Sequence, residues 1–161
     1  MSSITVDNAA ALSSALKVAQ SGDTILLAPG TYSGLAIKNL DTGGLVTIKS
    51  LDANNEAVLT NFGIQNSSGL KFENVEMAGS GGMGYYSWII RDSQNISFDS
   101  VNVHGTLDGN PQNDAAGIQV FDSSNISITN SEFHELYRVS TLPSMRVFKF
   151  DTQFQEVKNK L

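Results

Sequence analysis

Two of the arginines, Arg91 and Arg138, draw attention in a chain where Lys and Arg together number only 10 of 161 residues. A guanidinium neutralises a carboxylate and steadies negative charge as it develops on a neighbouring carbon or oxygen. The phenols of Tyr85, Tyr86 and Tyr137 and the imidazole of His104 can give or take a proton. Arg91, Tyr137 and Arg138 are therefore the candidates for catalysis. Gln65, Gln119, Tyr85 and Tyr86 join Arg91 as candidates for contact with a substrate. Each has a plainer reading: a solvated arginine on a surface, or a tyrosine that covers a core.

Two further groupings could bind a metal. Asp108, Asn110 and Asp114 lie in the Gly/Pro stretch His104–Gly117 and offer the oxygen donors that calcium takes. Their spacing, Asp-x-Asn-x-x-x-Asp, is not that of an EF-hand loop, and such residues also stabilise turns alone. His104 and His134 are 30 residues apart in equivalent positions of a repeat, beside Asn102 and Glu132. Stacked imidazoles on an outer face could bind a metal or sense pH. The simpler reading is two exposed polar residues just past a strand.

What would position these residues is written three times in the chain. Ile64–Met77, Ile90–Val103 and Val120–Phe133 align without a gap. Leu70, Ile96 and Ile126 share a column, as do Phe72, Phe98 and Ile128. Val75/Val101/Ser131 and Met77/Val103/Phe133 form another such set. Phe62/Trp88/Ile118 and Ile64/Ile90/Val120 form a third. Each set alternates with period two, so each repeat holds three short strands. Gly69, Asn95 and Asn125 fill a column suited to positive φ, and Asn74, Ser100 and Asn130 a second turn column. A repeat of this length cannot bury its apolar face alone and must stack. The prediction is an all-β, right-handed parallel β-helix of about five coils. By parity, the strand after each long loop points Gly63/Ile89/Gln119 and Gln65/Arg91/Phe121 outward, and Trp88 inward.

On these columns, and on the opening stretch Asp23-Thr-Ile-Leu-Leu-Ala-Pro-Gly-Thr-Tyr32, residues 4–138 resemble the N-terminal part of a pectin-lyase-like β-helix protein. Within that group the chain is similar to bacterial secreted proteins related to polysaccharide lyases and mannuronan epimerases. The resemblance implies an acidic polysaccharide as partner, an extracellular location and chemistry on uronic acids. Such chemistry needs a cation to neutralise the carboxylate, a base for the C5 proton and a proton donor. The Tyr-Gly-Asp-Pro-His type of motif carried by the epimerases is absent. Gly84-Tyr-Tyr86 and Asp108-Gly-Asn-Pro111 echo only parts of it.

Composition bounds the rest. A net charge of −6 without a basic patch argues against a nucleic-acid partner. No apolar stretch approaches membrane-spanning length. With no cysteine there is no thiolate metal site or disulfide framework. No basic start followed by an apolar run marks a classical signal peptide.

Residues 1–22 are expected to form a strand and a capping helix, with Asn8 or Asp7 at its start and Gly22 as its stop. Leu12, Ala15, Leu16 and Ala19 would face the first coil. Residues 23–139 form the coils. Residues 140–161 form a divergent tail in which Phe150, Phe154, Val157 and Leu161 share a helical face. The tail carries 4 basic and 2 acidic residues, against 6 and 14 before it. It is either a cover for the second end or a junction left by truncation or a frameshift. The functional expectation is a β-helix related to polysaccharide lyases and epimerases with an incomplete active site. The alternative is a non-catalytic module that binds carbohydrate or builds an adhesin or phage spike.

Overall fold

The turn columns set the architecture. In the computed structural model, which describes residues 1–79, 86–108, 110, 112–141 and 148–154, the backbone is left-handed at two corners of each coil. Gly69, Asn95 and Asn125 have φ of 77°, 55° and 55°, and Asn74, Ser100 and Asn130 have 49°, 55° and 52°. Asn66, Asp92 and Asp122 are left-handed as well, at 47°, 50° and 42°. Asn and Asp tolerate this region because their short polar side chains bond locally. Here the bonds also run between coils: the Asn125 amide donates to Asn95 Oδ1 and that of Asn66 to Asn39 Oδ1, each at 2.8 Å.

Between corners run short strands: β1 (Ser3–Val6), β2 (Thr24–Leu27), β3 (Thr31–Ser33), β4 (Ala36–Lys38), β5 (Asp41–Ser50), β6 (Val58–Thr60), β7 (Phe62–Gln65), β8 (Ser68–Glu73), β9 (Glu76–Ala78), β10 (Tyr86–Arg91), β11 (Gln94–Asp99), β12 (Asn102–His104), β13 (Ala116–Phe121), β14 (Ser124–His134), β15 (Arg138–Thr141) and β16 (Phe148–Phe154). All pair in parallel. One face runs β1-β2-β5-β8-β11-β14, and a second runs β14-β12-β9-β6-β3, with β14 bending from one into the other. The third is a five-stranded sheet, β15-β13-β10-β7-β4. The result is an all-β parallel solenoid of about four turns, close to the expected five.

The expected columns are the observed ones. Ile96 pairs with Leu70 and with Ile126, and Phe98 with Phe72 and Ile128. These side chains are 0–2% exposed, and Phe62, Phe72 and Phe98 stack with centroids 5.5 and 5.1 Å apart. Trp88 is fully buried, with no partner for its Nε1 among the described residues.

The first end is covered by α1 (Ala9–Leu16), whose Asn8 cap accepts from Ala11 N at 2.9 Å. Leu12, Ala15 and Leu16 are buried. The helix stops before Ala19, short of the expected Gly22.

The tail differs from expectation. The helical face was read from Phe150 and Phe154, but Phe148–Phe154 is a strand that pairs with β14, Phe148 opposite Ile126 and Phe154 opposite Phe133. The register shifts between Thr129 and Ser131, so β16 crosses the corner one residue shorter than β14. Val157 and Leu161 lie outside the described residues.

Candidate functional site

The five-stranded sheet carries the outward residues expected after the long loops. Alternation buries Ile37, Ile64, Ile90 and Val120 and turns their neighbours to solvent. One outward column reads Lys38, Gln65, Arg91, Phe121 across β4, β7, β10 and β13. The next reads Ala36, Gly63, Ile89, Gln119. Lys38, Gln65 and Arg91 are exposed, and Gln119 and Phe121 are half-buried. The Arg91 guanidinium lies over the Phe121 ring, 5.0 Å from its centroid, a cation–π contact that restricts its orientation. Neither Arg91 nor Lys38 makes an ion pair among the described residues.

Beside this column lies a polar corner. A groove of about 380 Å³ is lined by Asn66, Ser68, Asp92, Gln94, Asp122 and Ser124, among others. It shares Asp41, Ser68 and Gln94 with a neighbouring groove of about 450 Å³. Buried serines beneath it hold the corner rigid. Ser67, Ser93 and Ser123 each accept from a backbone N–H of the preceding coil, at 3.2, 3.2 and 3.1 Å. Each hydroxyl donates to the carbonyl two residues earlier. The sequence showed serines in this turn but not that they form a ladder. Asp41 is held below the ordinary carboxylate range by the Gly43 N–H and the Ser68 hydroxyl.

The other candidates fall elsewhere. Arg138 stands opposite Ala116, in the column of Tyr86. That column is five residues from Arg91 along the strand, roughly 16 Å at about 3.3 Å per residue. Tyr137 is half-buried at the entry to β15, its N–H bonded to Ala115 O at 3.1 Å. Tyr86 is half-buried. Tyr85 lies outside the described residues. The backbone of Arg138, and of Tyr137 before it, thus enters the sheet well along the strand direction from Arg91.

The loop after β12 ties its candidate calcium oxygens to protein donors. Asp114, 3% exposed, accepts from Thr106 N and Oγ1 at 3.0 and 2.9 Å. Asp108 accepts from Asn110 N, Thr106 Oγ1 and Asn113 Nδ2, with the Asn113 amide foremost in holding it below the usual range. Asn110 Oδ1 accepts from Gln112 N. Asp108 Oδ1, Asn113 Oδ1 and Asp114 Oδ1 lie 3.2, 3.0 and 2.9 Å from the Thr106 hydroxyl, which has one proton to give among them. Among the described residues no three His, Asp or Glu side chains gather to hold a metal.

The histidines stack as predicted, centroids 5.3 Å apart, but not as exposed residues. His104 is 4% exposed, bonded to Glu76 and Gly105 O and stacked on His134. A carbonyl only accepts, so His104 Nδ1 donates to Gly105 O at 2.8 Å, and its Nε2 meets Glu76 Oε1 at 2.9 Å. His134 Nε2 bonds Asn102 Oδ1 at 2.9 Å. Both rings sit on the β12–β14 face, so neither reaches Arg91. Glu76 was the missed partner; it occupies the Asn102 column one coil earlier.

Comparison with known proteins places the architecture. No protein-family model matches the chain, and no curated protein sequence matches it. Solved structures do. An alginate lyase from Paenibacillus sp. str. FPU-7 aligns with TM-score 0.52 and 22% identity over 81% of this chain and 44% of its own. A pectate lyase from Bacillus sp. N165, in complex with trigalacturonate, aligns with TM-score 0.65 and 13% identity over 91% of this chain and 51% of its own. The fold is the parallel β-helix of these two lyase structures. The chain spans about half the length of these structures. No helix among its described residues is long and apolar enough to cross a membrane.

Proposed function

We propose that this chain is a secreted bacterial β-helix module, related to the polysaccharide lyases, that binds acidic polysaccharide without a complete elimination or epimerisation site. The observation that carries the reading is the outward column Lys38–Gln65–Arg91–Phe121. Its two cations lack acidic partners among the described residues, and one is held against an aromatic ring. A guanidinium oriented in this way can take a carboxylate through two parallel hydrogen bonds, and Gln65, Gln119 and the Phe121 ring edge can contact sugar hydroxyls and apolar faces. That solved structures of this shape include an alginate lyase and a pectate lyase favours a uronate over other anions.

Placement of the described candidates supports the incomplete site. Uronate chemistry needs a base within reach of the C5 proton and a proton donor within reach of the leaving oxygen, on the sugar whose carboxylate the cation neutralises. Both histidines of the chain face another side of the solenoid, and the Tyr86/Arg138 column is several residues from Arg91. Electrophoresis through gels containing alginate or pectate tests the reading, alongside near-ultraviolet absorbance for the unsaturated product of elimination. The module is retarded in the gels and produces no absorbance. Unretarded migration in both gels and in a third containing hyaluronan refutes binding, and rising absorbance refutes the incomplete site.

A further inference from the structure

The charge pattern on this corner repeats by coil, and it is not uniform. Along the stack the outward column runs cation, amide, cation, ring: Lys38, Gln65, Arg91, Phe121. Each coil advances about 4.8 Å, close to the length of one pyranose in a polysaccharide. A chain laid across the coils, along the corner, therefore meets a positive charge at every second sugar. Immediately beside this column the left-handed corner reads Asn39, Asn66, Asp92, Asp122, and Asp41 stands at the next edge of the groove. Asp92 and Asp122 are exposed. Asp92 and Asp122 line the groove beside the column, so a ligand lying in it runs along a negative edge.

We propose that the corner selects acidic polysaccharides whose carboxylates recur at alternate residues, with uncharged sugars between them. Lys38 and Arg91 take the carboxylates. Asn66, Ser68, Gln94 and Ser124 take hydroxyls of the intervening sugars, and the Asp92/Asp122 edge repels a polymer charged at every sugar. This rests on the reading of Arg91 and Lys38 as uronate ligands and adds the spacing of the charge.

The test compares two unsulfated polymers by titration calorimetry at equal ionic strength. One is polygalacturonate, charged at every sugar; the other is hyaluronan, in which an uncharged sugar separates successive uronates. The wild-type chain binds hyaluronan more tightly. The double variant Asp92→Asn/Asp122→Asn folds normally, because asparagine already occupies this left-handed column at 39 and 66. It gains roughly tenfold for polygalacturonate, a size expected for two like charges removed near the ligand, and little for hyaluronan. Gln65→Lys shifts preference the same way by filling the uncharged step. Equal wild-type affinity for both polymers, with no gain in either variant, overturns the spacing proposal and leaves uronate binding intact. Affinity for neither polymer overturns both.

Discussion

Two outer faces of the solenoid use their charges in opposite ways. On the β5-β8-β11-β14 face, Lys71 bridges Glu73 at 2.7 Å and Asp99 at 3.0 Å, and Lys49 reaches Glu73 at 3.9 Å. Asp99 also accepts from Asn130 and Thr129 of the next coil. Charges there are matched within the protein, and the contacts span neighbouring coils. On the five-stranded sheet, Arg91 and Lys38 point outward with no acidic partner among the described residues. Both faces are built from the same strand repeat and the same alternation. The difference lies in which residues occupy the outward columns. It suits the first face to holding coils together and leaves the cations of the second for the ligand proposed above.

Substitutions that separate the two roles test the contrast. The largest effect is expected from Arg91→Glu, which replaces the carboxylate-binding cation with a repelling charge. Affinity for acidic polysaccharide should fall roughly ten- to a hundredfold, the worth of one charge-assisted interaction, while the melting temperature stays unchanged. Lys71→Ala should do the reverse. It leaves Glu73 and Asp99 facing each other, and its partly exposed position limits the loss to about 1 kcal/mol of stability by urea denaturation. Polysaccharide affinity should not move.

A smaller effect is expected in acid. Asp99 is held below its ordinary value of 3.8, first by the Asn130 amide and then by Lys71. The unfolded chain therefore takes up the proton more readily, so this contribution is present above pH 3.8 and is lost as pH falls through the lower folded value. Wild type should lose melting temperature in that range, and Asp99→Asn should lose less. Polysaccharide binding would weaken over the same range for a different reason, as the uronates themselves protonate. The smallest effect is Lys49→Ala. Its contact is long and 39% exposed, so a change within about 0.5 kcal/mol is expected. A larger one would mean that the network on this face extends further than its short contacts.

How much of this was legible in the sequence depended on whether a residue's role was local. Leu70, Ile96 and Ile126 could be aligned because a strand alternates with period two and a left-handed corner needs Gly, Asn or Asp. The resulting register is observed pair by pair. The outward position of Gln65 and Arg91 followed from the same parity. β16 was misread because it lacks the extra corner residue that Asn130 supplies in β14, so its Phe spacing fitted a helix as well. The burial of His104 goes with its bonds to Glu76 of the preceding coil and to Gly105 O, neither visible from alternation. Nor could spacing show that Asp108 and Asp114 spend their oxygens on Thr106, Asn110 and Asn113. The distance between Arg91 and the Arg138 column depends on where β15 enters its sheet, and the irregular chain before it does not reveal that.

The most direct test of the division between the two faces is a nuclear magnetic resonance titration of the labelled chain with a uronate oligosaccharide. Shifts that change with ligand should map to Lys38, Gln65, Arg91, Phe121 and the adjoining corner at Asn66 and Asp92, leaving Lys71, Glu73 and Asp99 still. Changes centred on the Lys71 face, or none at saturating ligand, would contradict the assignment.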